Sequence, residues 1–547
     1  SFLLSHWKNS YSSLVLNGGT ITSENACLHM GWDSGSRFDA LSGEATLKGI
    51  FFSSQRYQAD TLVLGEARLN IGSGGITGIG SNDTVQLGNG TIAATANFSI
   101  SGNKAIDLMG TAGGTVFDTA GHTITVNTVL QGEGNLVKTG AGTLNFAAEN
   151  TFTGSVTVQA GTLQLSAAQT AQGYEMAEGT MLSVTHDQGE MSISELSGNA
   201  ALHKIGAGVL NLGSAQVSGI VLKGGGSTDI SGEVNINGRL SVGHEDMRLT
   251  EGAQVTVTHF RGGDTANNQP STVTIAEGAS LKVTGNVDGD NTDASFLLSH
   301  WKNSYSSLVL NGGTIISENA CLHMGWDSGS RFEAPSGEAT LKGISFSTTR
   351  GNADTLVLGS ARLNIGSGGI TGIGSNDSVL LGSGTIAATA NFTISGHAIN
   401  LTDEIIGTTF DTNGHNITVS STVNGGGRLV KEGAGSLVLT GNGLSALTNA
   451  SAIVVNSGKL DLSAAGRSAN LSRVSGAGTV VLNYGIGDND NGSGFDFSGL
   501  TGEVQVNSGR VLLSSSVFGD DCPDFRLTSA NSQLVFDGIG TVVNSNV

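Results

Sequence analysis

The feature that most constrains this chain is that it repeats itself at long range. Residues 1–100 return as 295–394 with a constant offset of 294 and 13 differences in 100 positions. SFLLSHWKNSYSSLVLNGGTI is unchanged between residues 1–21 and 295–315, and CLHMGWDSGSRF recurs from Cys27 and from Cys321. The differences concentrate at FFSSQRYQAD, from Phe51, against SFSTTRGNAD, from Ser345, as at a loop tip. Beyond residue 100 the likeness continues at an offset of 293: FDTAGHTITV from Phe117 matches FDTNGHNITV from Phe410. One residue has been lost between the copies. Such a chain folds by stacking like units on their neighbours. This overrides the three or four unrelated domains that 547 residues would otherwise predict.

The smaller units share one grammar. Leu14-Val15-Leu16 is followed by Asn17-Gly18-Gly19 and then Thr20-Ile21; Thr61-Leu62-Val63-Leu64 ends at Gly65, and Leu69-Asn70-Ile71 ends at Gly72. Strands of about four or five residues alternate with Gly or Asn-Gly corners, where a positive φ is tolerated. Within each strand Val and Leu alternate with Thr, Asn and Ser, giving one buried and one exposed face. No long 3.6-residue period occurs; residues 167–178 are the one stretch expected to hold a short helical turn.

Composition removes the other fold classes. Of 547 residues 84 are Gly and only 3 are Pro, which excludes collagen. Charged residues are 13%, too few for a helical bundle, and a hydrophobic content of 38% excludes a flexible linker. A propeller would need blade signatures at a period of about 40–50 residues. Sandwich domains would need more aromatics than the 5% present. A β-solenoid fits: small corners, a thin aliphatic core, any length. At about 20–25 residues per coil and about 4.8 Å between coils the expected rod is on the order of 110–130 Å long. The expectation is one continuous solenoid over residues 1–547. Long repeats occupy 1–116 and 295–409, shorter repeats 117–168 and 410–465, and weaker solenoid repeats 169–294 and 466–547.

The stretch GEGNLVKTGAGTLNFAAENTFTGSVTVQAGTLQL, from Gly132, resembles the autotransporter-associated β-strand repeat, also called the passenger-associated transport repeat. Its pattern of Leu-x-Lys-x-Gly-x-Gly-x-Leu-x-Leu, Asn-Thr-Tyr-x-Gly and a Gly-x-Leu strand is met by Leu136, Lys138, Gly140, Gly142, Leu144 and Phe146, by Asn150-Thr151-Phe152 with Gly154, and by Gly161 and Leu163. The second copy keeps Leu429, Lys431, Gly433, Gly435, Leu437 and Leu439. It replaces the middle element by GNGLSALTNAS and closes with Gly458-Lys459-Leu460. HKIGAGVLNL, from His203, and SRVSGAGTVVL, from Ser472, are shorter echoes. The resemblance implies an all-β, right-handed parallel β-helix passenger, exported to the bacterial cell surface or beyond it, and implies no activity of its own. The membrane barrel of such proteins is not visible in the sequence, so the chain reads as a segment of a longer protein.

The net charge of −20 argues against a nucleic-acid partner, and no apolar run approaches a membrane span. Parallel β-helices also serve as polysaccharide-cleaving enzymes, which need convergent carboxylates. Here the acidic residues, Asp60, Asp83 and Asp118 among them, read as single. The recurrence of Asp118 and His122 as Asp411 and His415 points to a structural corner rather than catalysis. Alternating acidic residues at Asp288, Asp290 and Asp293, and at Asp488 and Asp490, offer oxygen ligands of the kind Ca²⁺ takes, although solvated turns have the same composition. All four tryptophans, Trp7, Trp32, Trp301 and Trp326, lie in the long repeats. They are either stacking platforms for glycan rings or plugs packed under loops. Cys27 and Cys321 occupy equivalent positions many coils apart, so they read as small buried hydrophobes and not as a disulfide. The expected role is structural, a segment of a surface fibre or stalk that displays loops and continues end to end, with no cofactor. A glycan-binding adhesin is the alternative, and a polysaccharide-degrading β-helix enzyme the third reading.

Overall fold

The structure is a computed structural model, and it describes all residues except 1, 8–9, 33, 54–58, 111, 172, 265–268, 289–293, 302, 327, 348–352, 441–446, 448–449, 465–472, 484–496, 515–522 and 538–547. The chain divides into two compact units. One comprises residues 1–240 and 244–247, the other residues 241–243 and 248–547. Each is a stack of parallel β-coils, the solenoid expected from the repeats. No helix among the described residues is long and apolar enough to cross a membrane.

In the first unit the alternation of residue types becomes a ladder. Thr143-Leu144-Asn145-Phe146 forms the strand Thr143–Phe146, with Leu144 and Phe146 buried and the polar pair facing outward. Its residues register with Thr123–Val126 before it and Thr162–Leu165 after it. The column continues as Ile124, Leu144, Leu163, Leu182, Leu202 and Ile220, each at most 1% exposed. Burying one such side chain contributes about 1.5–3 kcal/mol, and each rests only on the coils above and below. Along this column the steps from Thr123 to Thr143, Thr162, Met181 and Ala201 are 20, 19, 19 and 20 residues. In the long repeat the steps are larger, 24 from Ser12 to Ser36 and 24 from Arg37 to Thr61.

The second unit repeats the pattern. Strand Ser330–Ser345 lies in register between Ser306–Ser317 and the pair Thr355–Leu358 and Arg362–Ile373, as Ser36–Phe51 lies between Ser12–Ser23 and the pair Thr61–Leu64 and Arg68–Ile79. The residue lost between the copies falls in a corner. Phe98–Gly102 is followed by Ile106–Leu108, whereas Phe392–Gly396 is followed by Ala398–Leu401, and the ladders on either side keep their register.

One expectation fails. Among its described residues the stretch 167–178 forms no helical turn: Gln169 bridges in parallel to Asn150, and Tyr174–Met176 is a strand paired with Val156–Val158. Tyr174 and Met176 face inward at the register of Val156 and Val158, so the requirement of the ladder overrides local helix propensity. Of the variable stretch after Phe51, residues 54–58 and their counterparts 348–352 lie outside the described residues.

Candidate functional site

Strand parity decides which side chains reach the interior. In Leu136–Thr139, Leu136 points inward, and so therefore does Lys138 two residues on. It occupies a core column between Phe117 of the previous coil and Val158 of the next, and its side chain is fully buried. The ammonium is held by oxygen atoms alone: Thr119 Oγ1 at 2.9 Å and the carbonyls of Thr139, Gly140 and Ala160 at 3.0, 2.7 and 2.8 Å. Burial pushes the amine down to about 8, with the charge of Asp118 pulling the other way. Lys431 repeats the arrangement between Phe410 and Val455, with Thr412 Oγ1 at 3.0 Å and the carbonyls of Glu432, Gly433 and Ser457 at 2.7, 2.7 and 3.0 Å. It too is lowered to about 8 by burial.

The glycines after each lysine make this geometry possible. Gly140 has φ +75°, which turns its carbonyl back onto the ammonium. A Cβ on Gly142 would lie 1.9 Å from the carbonyl oxygen of His122 on the preceding coil, so only glycine fits there. The same Lys-x-Gly-Ala-Gly element occurs a third time at Lys204, Gly206 and Gly208. There Lys204 donates to the Gly206 carbonyl at 2.8 Å and pairs at 2.7 Å with Glu245, both side chains being at most 1% exposed. These lysines are corner clasps: Lys138 and Lys431 tie their coil to both neighbours, and Lys204 ties its corner to Glu245. The sequence placed Lys138 in a motif without marking it as buried, although its inward parity with Leu136 carried that information.

Stacking also pairs carboxylates that read as single. Asp60 and Asp83 stand on adjacent coils, 2% and 3% exposed, and the Asp60 amide donates to Asp83 Oδ1 at 2.9 Å. Asp60 Oδ1 in turn accepts from Gly31 N, Ser36 N and Ser36 Oγ at 3.0, 2.8 and 2.9 Å. Asp354 receives the matching set from Gly325 and Ser330, and its amide donates to Asp377. Burial raises all three of Asp60, Asp83 and Asp354, the last to about 6. With their acceptor oxygens taken up by backbone amides, these aspartates fasten corners. Asp118 and Asp411 are likewise engaged, each by an arginine, Arg68 at 2.7 Å and Arg362 at 2.8 Å, and each caps its own turn at Ala120 N or Asn413 N.

The tryptophans sit on two neighbouring loops of each long repeat. The backbone amide of Trp32 donates to Ser5 O at 2.8 Å, so the loop after Leu28–Gly31 lies over the loop after Phe2–Ser5. Trp7 is 74% exposed and Trp32 52%. His6 meets Trp7 edge-on at 4.9 Å between ring centroids. In the second unit Trp301 is 48% exposed and Trp326 half-buried, with His300 edge-on to both. Here Asp264 is added: its Oδ1 lies 3.0 Å from Trp301 Nε1, which donates to it, and 3.2 Å from His300 Nδ1. Burial opposes ionisation of Asp264. Hydrogen bonds from His300, Ser241 and Trp301 and the charge of Arg261 outweigh it and hold the carboxyl below its ordinary value.

Of the acidic residues singled out for Ca²⁺, Asp288 accepts from the Cys321 amide at 2.7 Å through Oδ1 and pairs with Lys342 through Oδ2. Asp290, Asp293, Asp488 and Asp490 lie outside the described residues. Among the described residues no three His, Cys, Asp or Glu side chains are grouped to hold a metal. Cys27 and Cys321 are free thiols, Cys321 buried and raised to about 11 by burial; Cys522 lies outside the described residues.

One family model matches this chain at the lysine corners. Residues 136–165 and 429–462 match the passenger-associated-transport-repeat family. Over 257 residues the chain is 27% identical to the adhesin BmaC autotransporter of Brucella suis biovar 1 (strain 1330). The match covers 42% of this chain and 7% of that protein. No solved structure matches. Both family matches begin on the strand that carries a clasp lysine, Leu136–Thr139 or Leu429–Glu432. Residues 136–165 and 429–462 of this β-solenoid are therefore passenger-associated transport repeats.

Proposed function

We propose that the chain is part of an exported surface passenger whose stacked coils serve as a scaffold displaying loops away from the cell, a structural role without catalysis. The observation that carries this reading is the Lys-x-Gly-Ala-Gly clasp, present in both transport repeats and again at Lys204. A clasp that ties a coil to its immediate neighbours, as at Lys138 and Lys431, lets a stack grow by duplication, and duplication is what the two long copies record. The test is protease shaving of intact cells producing the native protein. Release of fragments spanning residues 136–165 before lysis is the expected result; fragments released only after lysis would overturn the reading.

A second reading, glycan adhesion, has its own observation. Trp7 and Trp32 present exposed rings on adjacent coils, and an indole offers a sugar ring both an apolar face and a hydrogen-bonding edge. The relative is named an adhesin. Array binding that is lost in Trp7→Ala with Trp32→Ala, and kept in Trp301→Ala, would support adhesion through the first copy. An array without hits would remove it.

A further inference from the structure

Lys204 differs from the other two clasp lysines in what it meets. Lys138 and Lys431 are held by a threonine hydroxyl and peptide carbonyls, whereas Lys204 meets a carboxyl group. The corners after Lys204 and after Leu222, and the corner that holds Glu245, lie on three successive coils. The Lys223 amide donates to Lys204 O at 2.9 Å and the Asp246 amide to Gly226 O at 3.1 Å. The middle corner carries Gly224-Gly225-Gly226. A Cβ on Gly224 would lie 1.9 Å from Gly206 O, and one on Gly226 2.2 Å from Ala207 O. With no side chain at those positions, Lys204 Nζ reaches Glu245 Oε1 at 2.7 Å across the intervening coil, both side chains at most 1% exposed. Thr228 Oγ1, facing inward on Ser227–Ile230, donates to the same Oε1 at 3.0 Å. Glu245 Oε2 is buried and, among the described residues, has no hydrogen-bond partner. Two charges out of water beside an unpaired carboxylate oxygen are unfavourable as they stand. Burial raises the Glu245 carboxyl toward its neutral form, with the Lys204 hydrogen bond and charge pulling the other way.

We propose that Lys204 and Glu245 condense to an amide, a covalent rung across three coils. One ammonium proton first passes to the carboxylate at Oε2, which frees the lone pair on Nζ. Nζ then attacks Cδ: the Nζ–Cδ bond forms, and the carbonyl electron pair moves onto Oε1, where the Thr228 hydroxyl already points. Collapse restores that carbonyl and breaks the Cδ–Oε2 bond. Oε2, carrying the first proton, takes a second from the nitrogen and leaves as water. The ammonium has lost two protons and the carboxylate one oxygen, so the step balances with no other reactant. Holding amine and carboxyl in contact, away from water, favours a condensation that free molecules in water do not complete. The product fits the site. Its N–H has the Gly206 carbonyl, which Lys204 already meets at 2.8 Å, and its C=O keeps the Thr228 hydroxyl. Neither the buried charges nor the unpaired oxygen remain.

The test is the intact mass of the full chain, purified folded and then denatured, followed by proteolytic digestion. The expected result is a mass lower than that of the sequence by one water, about 18 Da, and a branched peptide joining the segments that hold Lys204 and Glu245. Lys204→Arg and Glu245→Ala are each expected to abolish both signals. Lys431→Arg, at a clasp whose contacts are a hydroxyl and peptide carbonyls, is expected to keep both. A folded chain at the full sequence mass, with residues 204 and 245 recovered on separate linear peptides, would overturn the proposal. So would a deficit carried by a linear peptide, or one that persists in Glu245→Ala, since either places the lost water elsewhere.

Discussion

Two strands of one sequence, Ser12–Ser23 and Ser306–Ser317 up to its last two residues, differ in burial at most positions. Two lysines of one motif, Lys138 and Lys431, are buried alike and held by the same kinds of oxygen. The difference lies in the neighbours. Both lysines sit between coils in register on either side, whereas among the described residues only the second of the two strands does. In a stack, a strand's own residues set its register and parity, and the next coil sets how much of its apolar face leaves water.

The largest effect tests the half of the comparison that predicts equality. Lys138→Ala and Lys431→Ala each strand a ring of carbonyls and a threonine hydroxyl in a cavity, at an expected cost of about 3–5 kcal/mol of local stability. Native-state hydrogen exchange at Leu136–Thr139 and Leu429–Glu432 reads it. Costs that differ several-fold between the copies would break the equality.

Leu308→Ala against Leu14→Ala tests the unequal half. Leu308 is fully buried, so its truncation is expected to cost about 2–4 kcal/mol, while half-exposed Leu14 loses less than about 1 kcal/mol. The same exchange measurement applies to the strands that hold them, and equal costs would show that Leu14 and Leu308 are buried alike.

Acid sharpens the comparison next. Asp354 is raised to about 6 by burial, above its ordinary value near 4. The folded state then binds this proton more tightly than the unfolded chain. The contribution is most favourable below about pH 4, declines as pH rises from 4 to 6, and is flat above that. Its size is about 2–3 kcal/mol, read as the slope of unfolding midpoint against pH. Asp354→Asn is expected to flatten the slope; an unchanged slope would assign it to other groups. Asp60→Asn, at the matched position, acts in the same direction.

The smallest effect is optical. In single-tryptophan variants, acrylamide should quench Trp7 more than Trp301, in keeping with exposures of 74% and 48% and the hydrogen bond from Trp301 to Asp264. Equal quenching would place the two loops in the same surroundings.

The coil itself was legible in the residues. Leu144, Leu163 and Leu182 declare their parity by alternation, and Gly140 and Gly142 declare the corner between Leu136–Thr139 and Thr143–Phe146. What stayed hidden was contact between residues one coil apart. Asp60 and Asp83 are 23 positions apart and read as single until the coil length brings the amide of one onto the carboxylate of the other. Lys138 read as a motif letter because a cation in a strand usually faces water, and only the oxygen cage contributed by three coils makes its inward placement tolerable. Asp264 carried no signal at all. It meets Trp301 across 37 residues of sequence, through a coil that has no counterpart at Trp7 among the described residues.

The oxygen cage has a chemical consequence. A lysine with no exposed surface, its Nζ enclosed by carbonyl and hydroxyl oxygens, cannot be reached by an acylating reagent. Lys138 and Lys431 are therefore silent toward such reagents while their coils are closed and reactive once they open. Each transport repeat thus carries an internal label that records whether that stretch had folded when the reagent arrived.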